Sequence, residues 1–88
     1  MCYYIQSKQY KSVVIMDNQR IRIIYADGRF TKERKYKKSD FAKRLNYFID
    51  NKDYRLLNRN QMIMYLRPKK LLDLIKSVQY QIFSNELF

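Results

Sequence analysis

Apolar spacing changes period once along this chain, near Ser39, and that change restricts the folds open to it. Before it, Lys11 to Asp17 and Arg20 to Tyr25 are β-branched runs that alternate in polarity. After it, Phe41, Leu45, Phe48 and Ile49 recur at i, i+4, i+7 and i+8. A strand-forming stretch followed by a helix-forming one, with no internal repeat and no Pro/Gly/Ser-rich linker, predicts a single α+β domain over residues 1–88. The architecture expected is a three- to four-stranded antiparallel sheet packed against two helices.

Turn chemistry fixes the expected register. Asn18-Gln19 separates the first two runs. Asp27-Gly28, which contains the chain's one glycine, is a strong signal for a type I′ hairpin leading into Arg29 to Lys35. With both as two-residue loops, Met16 lies opposite Ile21, Val14 opposite Ile23 and Tyr25 opposite Phe30, all on a core face. The reverse face then carries Arg22 opposite Glu33 and Arg20 opposite Lys35, beside Val13, Ile15, Ile24 and Thr31, and is mixed and basic. Cys2 to Gln6 is expected to add an edge strand.

Ser39 is a good N-cap, and Asp40 follows it in a first turn, where an acid suits the helix dipole. A second helix is expected from Pro68 through Leu71, Leu72, Leu74, Ile75, Val78 and Ile82 to about Asn85. Between the helices, the apolar run Met62 to Leu66 fits a strand or a short helix. Its length favours a strand over Gln61 to Leu66, with Asn58-Arg59-Asn60 as the turn before it.

Charge is the strongest functional signal. Ten cations (Arg20, Arg22, Arg29, Lys32, Arg34, Lys35, Lys37, Lys38, Lys43 and Arg44) face only Asp27, Glu33 and Asp40 in the same stretch, and the net charge is +11 on 88 residues. Small soluble domains manage with a net magnitude of about 2 to 8. A field of one sign at this density repels itself and attracts polyanions.

Enzymatic readings lack their parts. The chain has no His, one Cys and one Gly, and its eight acids are scattered singly, so a His base, a thiolate pair, a Gly-rich phosphate cradle and a metal-ligand spacing are all missing. No cofactor or metal is expected. Cys2 cannot form an internal disulfide, no run approaches the ~18 apolar residues of a membrane span, and Met1 to Lys8 lacks the pattern of a signal peptide. These features lead to the expectation of a cytoplasmic, non-enzymatic protein. The codon bias implied by abundant Tyr, Ile, Asn and Lys suits an AT-rich genome such as a virus or mobile element carries.

The expected role is therefore nucleic-acid binding through the phosphate backbone, with DNA the model ligand. On this reading Arg20, Arg22 and Lys35 project from the exposed sheet face, and Arg29, Lys32, Arg34, Lys37 and Lys38 flank it, within reach of phosphates. Tyr36, set among lysines, is a candidate for base stacking. Lys69 and Lys70, in the first turn of the second helix, are candidates for an anion at its N-terminus. The alternative is an inhibitor or adaptor that docks its basic face on an acidic or nucleic-acid-binding groove of another protein. The apolar end of the chain, Phe83, Leu87 and Phe88 included, adds the expectation of a homodimer seam through the C-terminal helix.

Overall fold

Asn18 and Gln19 both adopt positive φ, 51° and 64°, the pair of conformations a type I′ turn requires. They join strand β2 (Val13–Asp17) to β3 (Arg20–Ile24), which pair antiparallel with Asp17 against Arg20, Met16 against Ile21 and Val14 against Ile23, the expected register. In the computed structural model, which describes residues 2–75, the chain divides into two compact units, Met1–Leu57 and Asn58–Phe88. The architecture is α+β, with a five-stranded antiparallel sheet and two α-helices.

The first unit holds the sheet. Strand β1 (Cys2–Ser7) pairs with the free side of β2, placing Tyr3 against Met16 and Ile5 against Val14. Two short strands complete it, β4 (Arg34–Lys35) beside β3 and β5 (Tyr54–Leu57) beside β1, in the order β4-β3-β2-β1-β5. The expected edge strand at Cys2 to Gln6 is thus an interior one. The chain returns after its first helix to lay β5 outside it, where Arg55 donates from Nε and Nη2 to the buried Gln6 Oε1 at 3.0 and 2.9 Å. That bond satisfies an amide that would be costly to bury unpaired.

Helix α1 (Lys38–Asp50) lies against one sheet face. Ile5, Val14, Met16 and Ile21 are buried there, and Tyr3, Ile23, Tyr36, Phe41, Leu45, Phe48 and Tyr54 pack around them. Burying each large aliphatic side chain stabilises by roughly 1.5–3 kcal/mol. The helical stripe was legible apart from Ile49, which is 47% exposed because its position falls past the rim of the contact. The N-cap is Lys37, not Ser39, and no side chain caps the helix. The chain already turns helical at Lys38, where the Phe41 N–H reaches the Lys37 carbonyl at 2.9 Å, so Ser39 falls inside the first turn.

The second hairpin departs from the two-residue expectation. The Tyr25 N–H bonds to the Arg29 carbonyl and the Gly28 N–H to the Tyr25 carbonyl, so the loop holds Ala26, Asp27 and Gly28, with Gly28 at φ 95°. A three-residue loop with Gly in this conformation shifts the pairing by one, and Phe30 faces Ile24 instead of Tyr25. Farther on, Arg20 faces Lys35 as expected. The extra residue is absorbed between the two bridges, so Arg22 does not pair with Glu33.

In the second unit, Gln61 to Leu66 is helical: α2 spans Arg59–Leu66. The deciding feature is a capping box. Asn58 Oδ1 accepts from the Gln61 N–H and Gln61 Oε1 accepts from the Asn58 N–H, both at 2.8 Å. Two donors that a helix start leaves orphaned are thereby satisfied. Met62 and Leu66, one turn apart, are fully buried. The long helix expected from Pro68 is replaced by two 3₁₀ turns, Arg67–Lys69 and Leu72–Leu74, because Lys70 is left-handed at φ 59° and breaks the path between them. The remainder of that helix, and the dimer seam expected on it, lie outside the described residues.

Two stability changes follow. Gln19→Gly should stabilise by about 0.5–1 kcal/mol, since a side chain in the left-handed region costs roughly 1–2 kcal/mol and glycine recovers most of it less its greater unfolded freedom. Asn58→Ala should lose about 1 kcal/mol. Urea denaturation followed by circular dichroism measures both, and an Asn58→Asp variant should keep most of the cap.

Candidate nucleic-acid interface

Exposed cations gather where β3, β4 and the start of α1 meet in sequence. Lys32, Arg34, Lys35, Lys37 and Lys38 are all exposed: the first in the β3–β4 connection, the next two on the edge strand, and the last two at the helix entry. A strand of only two residues exists here because the loop shift leaves little in register, and the chain must then turn to start the helix. The Tyr36 N–H anchors that turn on the Gln19 carbonyl at 2.7 Å.

Neutralisation is sparse. Arg20 Nη1 meets Glu33 Oε1 at 3.2 Å and Arg29 Nε meets Asp27 Oδ2 at 2.7 Å. Both pairs are solvent-exposed and of the kind worth about 0–1 kcal/mol. The Arg29 N–H also donates to Asp27 Oδ1 at 3.0 Å, and that bond, helped by the guanidinium, holds the Asp27 carboxyl below the usual carboxylate range. Among the described residues, Lys32, Arg34, Lys35, Lys37, Lys38, Lys43 and Arg44 make no ion pair with a carboxylate.

The reverse sheet face, expected to be open and basic, is largely buried, with Val13 and Ile24 fully inaccessible; of the three cations assigned to it, Arg20 and Lys35 are exposed and Arg22 is only partly so. The Arg22 guanidinium lies over the Phe30 ring at 5.7 Å, and its Nε is buried with no hydrogen-bond partner among the described residues. The shifted register puts Phe30 diagonally across from it, covering the arginine stem that the two-residue loop would have left open.

Tyr36 is half-buried and packs on the α1 side of the core. The Arg34 and Arg44 guanidinium carbons lie 6.0 and 4.7 Å from its ring centroid. Arg44 is a residue that sequence reasoning did not single out. It stands in the second turn of α1, and no local spacing announces that a helix residue will lie over a ring eight positions earlier.

Lys69 and Lys70 belong to the second unit and are not in the first turn of an α-helix, so the expected helix N-terminal anion site is absent there. Lys69 Nζ instead donates to the Tyr65 carbonyl at 3.3 Å and sits 3.9 Å from the Tyr65 ring centroid. Lys70 is the left-handed residue after the 3₁₀ turn, whose geometry is set by its backbone N–H bonding to the Arg67 carbonyl.

Among the described residues no group of His, Cys, Asp and Glu could hold a metal ion, and no helix is long and apolar enough to cross a membrane. Set against known proteins, the chain matches no family model, no curated protein and no solved structure.

Although Cys2 is exposed, partial loss of water around its thiol pushes its pKa above the ordinary value, and Asp17 adds to the rise. A raised value leaves less thiolate at a given pH. Cys2 should therefore react with iodoacetamide near pH 8 more slowly in the folded protein than in urea, read by mass spectrometry; equal rates would contradict that environment.

Proposed function

We propose that this protein binds nucleic acid non-enzymatically, through the phosphate backbone, with the edge strand β4 and the connection into α1 as the contact surface. The observation that carries this reading is the unneutralised group Lys32, Arg34, Lys35, Lys37 and Lys38, exposed side chains on two consecutive elements with no carboxylate partner among the described residues. Holding such charges together costs self-repulsion, and a polyanion removes it while releasing its own counterions. Two of the five lie on the edge strand and two at the helix entry, an array of separate cations that suits positioning on a backbone more than reading of base edges. The role fits an intracellular protein.

Binding to duplex DNA should be tight at ~50 mM salt and fall with a log–log slope of about −4.5, the value for five phosphate contacts, and binding to single-stranded DNA with a slope of about −3.5. Reversing Lys35, Lys37 and Lys38 to Glu together should abolish it with the circular dichroism spectrum intact. Reversing Lys8 and Lys52, exposed lysines elsewhere on the first unit, should have a much smaller effect. Absence of binding by the wild-type chain, together with capture of an acidic protein from a nuclease-treated lysate, would replace this reading with the protein-docking one.

The pH profile gives an independent check. Only histidine ordinarily changes charge between about pH 5 and 8, and the chain has none. DNA affinity at fixed ionic strength should be flat from about pH 6 to pH 8.

A further inference from the structure

The two guanidinia over Tyr36 differ from the rest of the basic surface. Arg34 comes from the edge strand and Arg44 from the second turn of α1, yet both converge on one aromatic ring. They lie no farther apart than their two ring distances laid end to end. Among the described residues neither meets a carboxylate. Like charges drawn together without an intervening anion repel, and the ring's negative face offsets only part of that. Tyr36 is held on both sides, its ring packing on the sheet core as Phe41 and Leu45 do and its backbone N–H bonded to the Gln19 carbonyl.

We infer that Arg34 and Arg44 form a two-pronged phosphate clip, with Tyr36 as the template that holds both prongs before the ligand arrives. The ligand is a phosphodiester backbone, and the inference rests on the nucleic-acid reading above. It assigns a binding role to Arg44 and changes that of Tyr36: the ring serves to orient guanidinia and is not a platform for an unpaired base. Arginine is the residue suited to this task. Its planar fork stacks on a ring while its edge N–H groups remain free to donate to phosphate oxygens, whereas lysine carries a point charge that does neither in the same pose. Stacking also fixes the side-chain rotamers in advance, so less conformational entropy is lost when phosphate binds.

The test separates stacking from charge. Binding of a fluorescein-labelled oligothymidylate and a labelled duplex is measured by anisotropy across a salt series for the wild type, Arg44→Lys, the double variant Arg34→Gln with Arg44→Gln, and Tyr36→Phe. Arg44→Lys, which keeps the charge, should weaken both ligands about two- to fivefold. The double Gln variant should make the salt slope shallower by about 2. Tyr36→Phe, which keeps the ring, should bind as the wild type does. In ¹⁵N spectra the Arg34 and Arg44 Nε–Hε signals should shift together as oligonucleotide is added, a readout that a purely structural pair would not move.

Arg44→Lys binding with wild-type affinity, or a double Gln variant with an unchanged slope, overturns the clip while leaving the Lys35, Lys37 and Lys38 surface standing. A Tyr36→Phe loss on either ligand places the contact on the phenol hydroxyl and not on a ring that orients guanidinia, and also overturns it. A wild-type chain that binds neither ligand ends the clip and the nucleic-acid reading together.

Discussion

The Gln19 carbonyl ties the two halves of the first unit together. Its residue is forced into the left-handed region by the β2–β3 turn, and that conformation aims the carbonyl at the Tyr36 N–H, 2.7 Å away. One hydrogen bond thus sets where the chain leaves the sheet and starts α1. Tyr36, so anchored, packs on the sheet core as Phe41 and Leu45 do, and gives the edge-strand arginine and the helix arginine a common ring to lean on. Turn conformation, core packing and the arrangement of surface charge are in this sense one linked construction. A strained backbone at two residues is the cost of its geometry.

Much of this was legible before any coordinates. Period-two alternation with an Asn-Gln turn placed Met16 against Ile21 and Val14 against Ile23 because slipping by one residue would have turned every apolar side chain outward. The stripe Phe41, Leu45 and Phe48 identified the buried face of α1 for the same reason at the other period. What escaped was decided by contacts of few atoms. Asp27-Gly28 signals a hairpin but does not distinguish a two-residue loop from a three-residue one, and the difference moved Phe30 across the ribbon onto Arg22. The capping pair Asn58 and Gln61 outweighed a strand-like apolar run, and one left-handed lysine, Lys70, stopped a helix that the Leu71 to Ile75 spacing favoured.

The candidate site was legible as charge and not as geometry. Composition located the cations between Arg20 and Arg44, and the structure sorts them: Arg20 and Arg29 have carboxylate partners, Arg22 is partly covered, and Lys32, Arg34, Lys35, Lys37 and Lys38 remain exposed and unpaired with acids among the described residues. Lys69 and Lys70 were read as the first turn of an α-helix, and the described residues there form a 3₁₀ turn and a left-handed residue instead. Arg44 required knowledge of how α1 packs beside Tyr36, which no pairwise spacing in the sequence encodes.

The shortness of β4 has a consequence for how copies of this chain avoid one another. A terminal strand offers unsatisfied backbone groups to any neighbouring strand, and proteins commonly blunt such ends with brevity and positive charge. Two residues, an arginine and a lysine, meet both conditions here. A polyanion over those charges would remove one of the two safeguards, so the surface proposed to recruit a ligand also bears on whether this edge of the sheet accepts a neighbouring strand.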